Sequence, residues 1–127
     1  MTTKMQAMVV DDSKAMRMIL KCILSELGFE VCEAADGAQA LDQLRGGSHA
    51  DLALVDWHMP NMTGLELVQA LRTDPAWDAL RIVMVTSETD AAHMASALAA
   101  GANEYIMKPF DSMVVLGKLE MLGLADA

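Results

Sequence analysis

The residues able to do chemistry recur at matching places in this chain. Asp11 and Asp12 follow the apolar stretch MVV, Asp56 follows LALV, Thr86 and Ser87 follow IVMV, and Lys108, with Pro109 behind it, follows YIM. Taken singly each has an ordinary explanation: an acidic pair capping a helix, a polar turn, a Lys-Pro loop. Taken together they are three carboxylates, a hydroxyl and an ammonium, each at the end of a short apolar run. Three like charges a few ångströms apart repel and push at least one pKa upward unless a cation intervenes. Lys108 offsets one charge and leaves a deficit. Oxygen ligands with one lysine suit a hard divalent ion, Mg²⁺ in particular. Such an ion with a lysine and a threonine hydroxyl is suited to a phosphoryl group, whose oxygens need positive charge and donors. One carboxylate could then be the acceptor, giving an aspartyl phosphate.

These residues share one site only if the elements before them end at one edge. Apolar runs at 5–10, 30–34, 52–55, 82–85 and 104–107 have the length and composition of buried strands. Helical patterns separate them. Met16, Ile19, Leu20, Ile23, Leu24 and Leu27 form a core stripe ending at Gly28. Asp36 N-caps a helix carrying Ala38, Leu41 and Leu44, and a third helix over about 63–72 buries Leu65, Val68 and Leu71 before Asp74-Pro75. An alanine-rich fourth helix runs over about 89–100 to Gly101, and a fifth follows Asp111 and ends near Leu122. This alternation predicts an α/β fold, a parallel sheet with helices on both faces and right-handed crossovers. All carboxyl ends of its strands lie on one edge, where open sheets of this kind bind ligands. The spacing leaves the strand order open.

The composition bounds the partners. A chain of 127 residues with 54% hydrophobic and 21% charged residues fits one globular domain. A net charge of -9 disfavours nucleic acid and anionic membranes and favours protein partners or a cation. Cys22 and Cys32 lack zinc-type spacing and read as reduced thiols, Cys32 in a core strand and Cys22 on a helix. There is no 18-residue apolar run, and MTTKMQAMVV is too short in apolar residues for a secretion signal. The expectation is a cytoplasmic protein.

Four stretches then resemble the response-regulator receiver family: VVDDS at 9–13, LVDWHMPNMTGLEL at 54–67, MVTSE at 84–88 and YIMKPF at 105–110. The likeness covers roughly residues 5–122 and is strongest to single-domain chemotaxis regulators. It implies a single receiver domain over 1–127 without an effector domain, and a flavodoxin-like doubly wound (βα)5 fold with strand order 2-1-3-4-5. By resemblance Asp56 is the phospho-acceptor. Asp12, Asp56 and the backbone carbonyl of His58 would ligate Mg²⁺, with Asp11 contacting it directly or through water. Lys108 would bridge to the phosphoryl group across a cis Lys108–Pro109 bond. Thr86 would bind a phosphoryl oxygen and Tyr105 would turn inward on activation. His58 and Ser87 depart from the asparagine and alanine frequent in the family, which bears on the lifetime of the phosphate.

The implied activity is self-phosphorylation and dephosphorylation rather than turnover of a separate substrate. The implied partners are a sensor histidine kinase or histidine phosphotransfer protein and a downstream protein target. A relay intermediate passing phosphate to a second histidine domain is the alternative within the family. A flavin binder of the same fold would carry a Ser/Thr/Gly-rich phosphate loop after its first strand. Asp11-Asp12 stand there and would repel a flavin phosphate. A phosphohydrolase resembling the dehalogenases would need Asp-x-Asp at that place, and a degenerate scaffold would have lost the acidic set. Two surfaces follow. Ala15, Met18 and Cys22 point away from the core of the first helix, suiting a phosphodonor's helices. The fourth helix, fifth strand and fifth helix form an output face, with Ala91, Ala92, Ala95, Ala97, Ala99 and Ala100 keeping that helix thin.

Overall fold

The computed structural model describes residues 4–87 and 91–125. Within them strands and helices alternate: β1 (Gln6–Val10), α1 (Lys14–Glu26), β2 (Glu30–Ala34), α2 (Gly37–Arg45), β3 (Leu52–Asp56), α3 (Gly64–Arg72), β4 (Arg81–Ser87), α4 (Ala91–Ala100), β5 (Glu104–Lys108) and α5 (Ser112–Met121). A short 3-10 turn, Pro75–Trp77, joins α3 to β4. Glu88 and the expected start of the fourth helix at Thr89 lie outside the described residues. All strands are parallel and ordered β2-β1-β3-β4-β5, the flavodoxin-like order the resemblance implies.

Alternation along the strands divides the core. Ala7, Val9, Leu52, Leu54, Val83, Val85 and Ile106 face α1 and α5, meeting Leu20, Leu24, Val115 and Leu119. Met8, Val10, Ala53, Val55, Ile82 and Met84 face the other way, onto Leu41 and Leu44 of α2, Leu67, Val68 and Leu71 of α3, and Ala97 of α4. The central strands carry apolar residues on both faces, as a sheet covered twice requires.

Helices α1, α2, α3 and α5 each start on a side-chain cap. Ser13 accepts from Met16 N–H, Asp36 from Gln39 N–H, Thr63 from Glu66 N–H in a reciprocal capping box, and Asp111 from Val114 N–H. These caps fix where each chain leaves the sheet edge, and so where the loop residues sit.

Several packing expectations are corrected. Ile19 is not core but 49% exposed, because it lies about 100° around the helix from Leu20, past the edge of the stripe. Leu65 and Ala38 are half-buried flank positions; the buried positions of α3 are Gly64, Leu67, Val68 and Leu71, and those of α2 are Gly37, Ala40, Leu41 and Leu44. Cys32 is half-buried, since β2 is an edge strand. The strands also reach further than the apolar runs. Asp56, Thr86, Ser87 and Lys108 are the last residues of their strands rather than the first of their loops, because the neighbouring ladders continue through them.

Candidate functional site

Register and alternation select which side chains meet. Val10 pairs with Val55, Asp56 with Val85, Val85 with Ile106, and Ser87 with Lys108. Asp11 therefore stands one residue beyond β1, level with Asp56. Asp11 shares the parity of Ala7 and Val9, Asp56 that of Leu52 and Leu54, and Lys108 that of Ile106, all on the α1/α5 face. Lys108 Nζ lies 3.3 Å from Asp56 Oδ1 and 3.6 Å from Asp11 Oδ2, bridging the two. Asp12 completes the cluster: one ligand atom from each of Asp11, Asp12 and Asp56 lies within 4.8 Å of the others.

Asp11 is anchored before any ligand arrives. Its N–H donates to Ala34 O at 3.1 Å, and its Oδ1 accepts Ser13 N–H at 2.8 Å. Its carbonyl accepts Arg17 Nη1 at 2.7 Å, while Arg17 Nε holds Glu33 at 3.2 Å. Asp11 Oδ2 is buried with no hydrogen bond among the described residues. Asp12, next to it, is exposed.

Asp56 is buried, and its carboxyl is pushed above the usual range, first by burial and then by the Asp11 charge, with Lys108 pulling the other way. One ammonium does not offset three carboxylates. The donor set is oxygen only, Asp11 Oδ2 is buried with no hydrogen bond among the described residues, and the residual charge is negative. That chemistry fits a hard divalent cation.

The loop after Asp56 is held close. Gly64 N–H donates to Trp57 O at 2.9 Å, and a β-carbon on Gly64 would collide with the Asp56 carbonyl oxygen. Glycine is required there for backbone approach, which accounts for TGLEL in the sequence. Trp57 is buried, His58 is exposed in the same loop, and the Lys108–Pro109 bond is cis.

Thr86 is placed differently from the acidic set. It has the parity of Ile82 and Met84, on the α2/α3/α4 face, and it is buried with its Oγ1 lacking a hydrogen-bond partner among the described residues. Tyr105, whose neighbour across the ladder is Met84, shares that face and packs half-buried against the same cluster. Two residues not singled out from the sequence hold it. Lys118 Nζ stands 4.7 Å from the Tyr105 ring centroid and 3.3 Å from Glu104 Oε1. Arg17, too, was not singled out. No local pattern reports such contacts, since they join α1 to β2 and α5 to β5.

A family model, the response regulator receiver domain, matches residues 7–120. Among curated proteins the chain is 44% identical over 124 residues to chemotaxis protein CheY1 of Helicobacter pylori, covering 96% of this chain and all of that one. It is also 44% identical over 117 residues to a chemotaxis protein CheY homolog of Campylobacter jejuni, covering 91% and 90%. Among solved structures it resembles the chemotaxis response regulator CheY4 of Vibrio cholerae at a TM-score of 0.87 and 33% identity, over 94% of this chain and 99% of that one. The chain belongs to the response regulator receiver domain family.

Proposed function

We propose that this receiver domain accepts a phosphoryl group on Asp56 in a Mg²⁺-dependent reaction and thereby switches a protein-binding face, in a chemotaxis-type two-component system of the cytoplasm. The observation that carries the reading is the buried Asp56 carboxylate, its proton affinity raised, bridged through Lys108 to a buried Asp11 oxygen that has no hydrogen bond among the described residues. The names of the relatives at 44% identity support the chemotaxis assignment. Incubation with acetyl phosphate and Mg²⁺, followed by mass spectrometry, tests it. One phosphoryl adduct is expected, and none once the metal is chelated.

In this reading an Asp56 carboxylate oxygen attacks phosphorus while the bond to the donor nitrogen or oxygen breaks, its electron pair leaving with the donor. Asp11, Asp12, Asp56 and the His58 carbonyl would hold Mg²⁺, which supplies positive charge to the phosphoryl oxygens. Lys108 moves from bridging two carboxylates to pairing with a phosphoryl oxygen. The Thr86 hydroxyl, lacking a hydrogen-bond partner among the described residues, can donate to another. The acceptor acts on itself, so the chain is no turnover enzyme.

The donor would be a sensor histidine kinase or a histidine phosphotransfer protein, docking on α1. Ala15, Met18 and Cys22 are exposed beside the acidic pair, Met18 at 56% and joined by Ile19. Met18→Glu is expected to slow transfer from a protein donor by roughly tenfold, the scale of one lost interface anchor, with acetyl phosphate labelling unchanged. Equal slowing with both donors would refute the docking role.

Output would leave through α4, β5 and α5 to a protein target. Ala92, Ala95 and Ala99 of α4 are exposed, as a thin contact helix needs. Thr86, drawn toward the phosphoryl group, vacates space on the face it shares with Tyr105, and the ring can follow. Thr86→Ala is expected to leave labelling largely intact and abolish the phosphorylation-dependent shift of the Tyr105 ring resonances. A shift of parental size in that variant would exclude the coupling.

A further inference from the structure

The strained point of the described backbone lies in the loop that carries the acceptor's neighbours, five residues past Asp56. Asn61 has φ +67°, the only positive φ at a non-glycine residue among those described. Met62 N–H donates to Pro60 O at 2.7 Å across it, the two-residue closure of a γ-turn, which is rare and strained with a positive φ at its centre. Such a conformation persists only where its surroundings hold it.

What holds it is on another element. Asn61 Nδ2 donates to Asp36 Oδ2 at 2.8 Å, while Asp36 Oδ1 accepts Gln39 N–H at 2.8 Å and caps α2. Asp36 is buried. Beside it the first residue of α2, Gly37, leaves room for the loop: a β-carbon there would stand 2.9 Å from Met62 Cγ and 3.0 Å from the Met62 carbonyl oxygen. The loop is thus closed at its base by Gly64 N–H on Trp57 O and held farther along, at residues 61 and 62, by α2.

From the contact between Asn61 and Asp36 we infer that this pair is a positioning clamp for the phospho-acceptor loop, setting where residues 57–60, His58 among them, stand relative to Asp56 and the metal. Neither residue touches the reacting atoms. The clamp rests on the Asp56 reading and adds to it an acid outside the acidic cluster, Asp36, that influences the rate. The loop has no regular secondary structure of its own between Asp56 and α3. Deleting the bond removes the side-chain contact that offsets the strain at Asn61, and the loop can shift relative to the site. Misplacement on the scale of an ångström is enough to slow a positioned reaction substantially.

Three variants of the whole chain test the clamp. Asn61→Gly keeps access to positive φ and deletes only the amide. Asn61→Asp also tolerates that φ but sets two carboxylates against each other. The exchange Asp36→Asn with Asn61→Asp restores one amide–carboxylate bond at unchanged net charge, and an asparagine still caps α2. Acetyl phosphate labelling is expected to slow roughly tenfold in both single variants, with weaker Mg²⁺ binding in Asn61→Gly, read from tryptophan fluorescence. The exchange is expected to return the rate to within about twofold of the parent, the mark of a pairwise interaction. Parental rate and Mg²⁺ affinity in Asn61→Gly would overturn the clamp, as would an exchange as slow as Asn61→Asp. A parent that takes no phosphoryl group would instead refute the acceptor reading, and Mg²⁺ affinity across the same proteins would still decide the clamp.

Discussion

Asp56→Asn is expected to lose the phosphoryl adduct completely and, in metal-free buffer at neutral pH, to melt at a higher temperature than the parent. The first result follows from removing the attacking oxygen: the amide is close in shape but is not a nucleophile toward phosphorus. The second follows from the sign of the pKa shift. Asp56 in the folded chain holds its proton to a higher pH than in the unfolded chain, chiefly because burial penalises the charge and because Asp11 lies close. As pH rises from the unfolded value through the folded one, the unfolded state releases its proton first, so stability falls across that window. Above it the full penalty of an ionised buried Asp56 remains, and the amide removes it. The gap between variant and parent should therefore close as pH drops below the raised pKa. Mg²⁺ should reverse the order at neutral pH, because a ligand at a hundred times its dissociation constant adds about 2.7 kcal/mol to the state that binds it. Melting curves at several pH values, with and without Mg²⁺, check both signs. A parent more stable than Asp56→Asn in metal-free neutral buffer would contradict the electrostatic account, and an adduct on the variant would remove the acceptor assignment.

Gly64→Ala is expected to be the most damaging single-methyl change in the chain. The added carbon would meet the Asp56 carbonyl oxygen and carbon, both backbone, and Met84 Cε at 2.8 Å. A flexible methionine tip can move; the end of a central strand cannot move without breaking its ladder. Overpacking of this kind costs about 1–3 kcal/mol and more where backbone must shift, so a loss near or above the top of that range is expected. Because the displaced atom belongs to the acceptor itself, labelling should slow along with the loss of stability. Gly117→Ala supplies the contrast. It lies within α5 with nothing within 4 Å of its would-be β-carbon, and the change should stabilise by about 0.5–1 kcal/mol. Denaturant midpoints at unchanged slope measure both. Similar shifts for the two variants would show that the backbone collision is not what glycine at 64 avoids.

Much was legible in the sequence because it is written locally. Short apolar runs bounded by carboxylates, caps such as Asp36 and Asp111, and a glycine after Thr63 each report the backbone within a few residues, and the elements fall where those signals stand. The parallel sheet follows from their alternation, and a parallel sheet puts every strand's end on one edge. The candidate acidic cluster was therefore foreseeable from residue types alone. What periodicity blurred was the margin of each helix: Ile19 and Leu65 sit at the rim of their stripes, where apolar character no longer decides burial.

The rest was decided by tertiary structure. Register, set by the ladders, makes Lys108 reach both Asp11 and Asp56, and parity turns Thr86 and Tyr105 to the opposite face from the acids. Arg17 on the Asp11 carbonyl, Lys118 on the Tyr105 ring and Asn61 on Asp36 join residues between 6 and 25 positions apart, on different elements. A sequence specifies the chemistry that each strand end delivers, because that depends on neighbours along the chain. Which delivered groups touch depends on how the elements pack, and side-chain contacts across that packing leave no local trace.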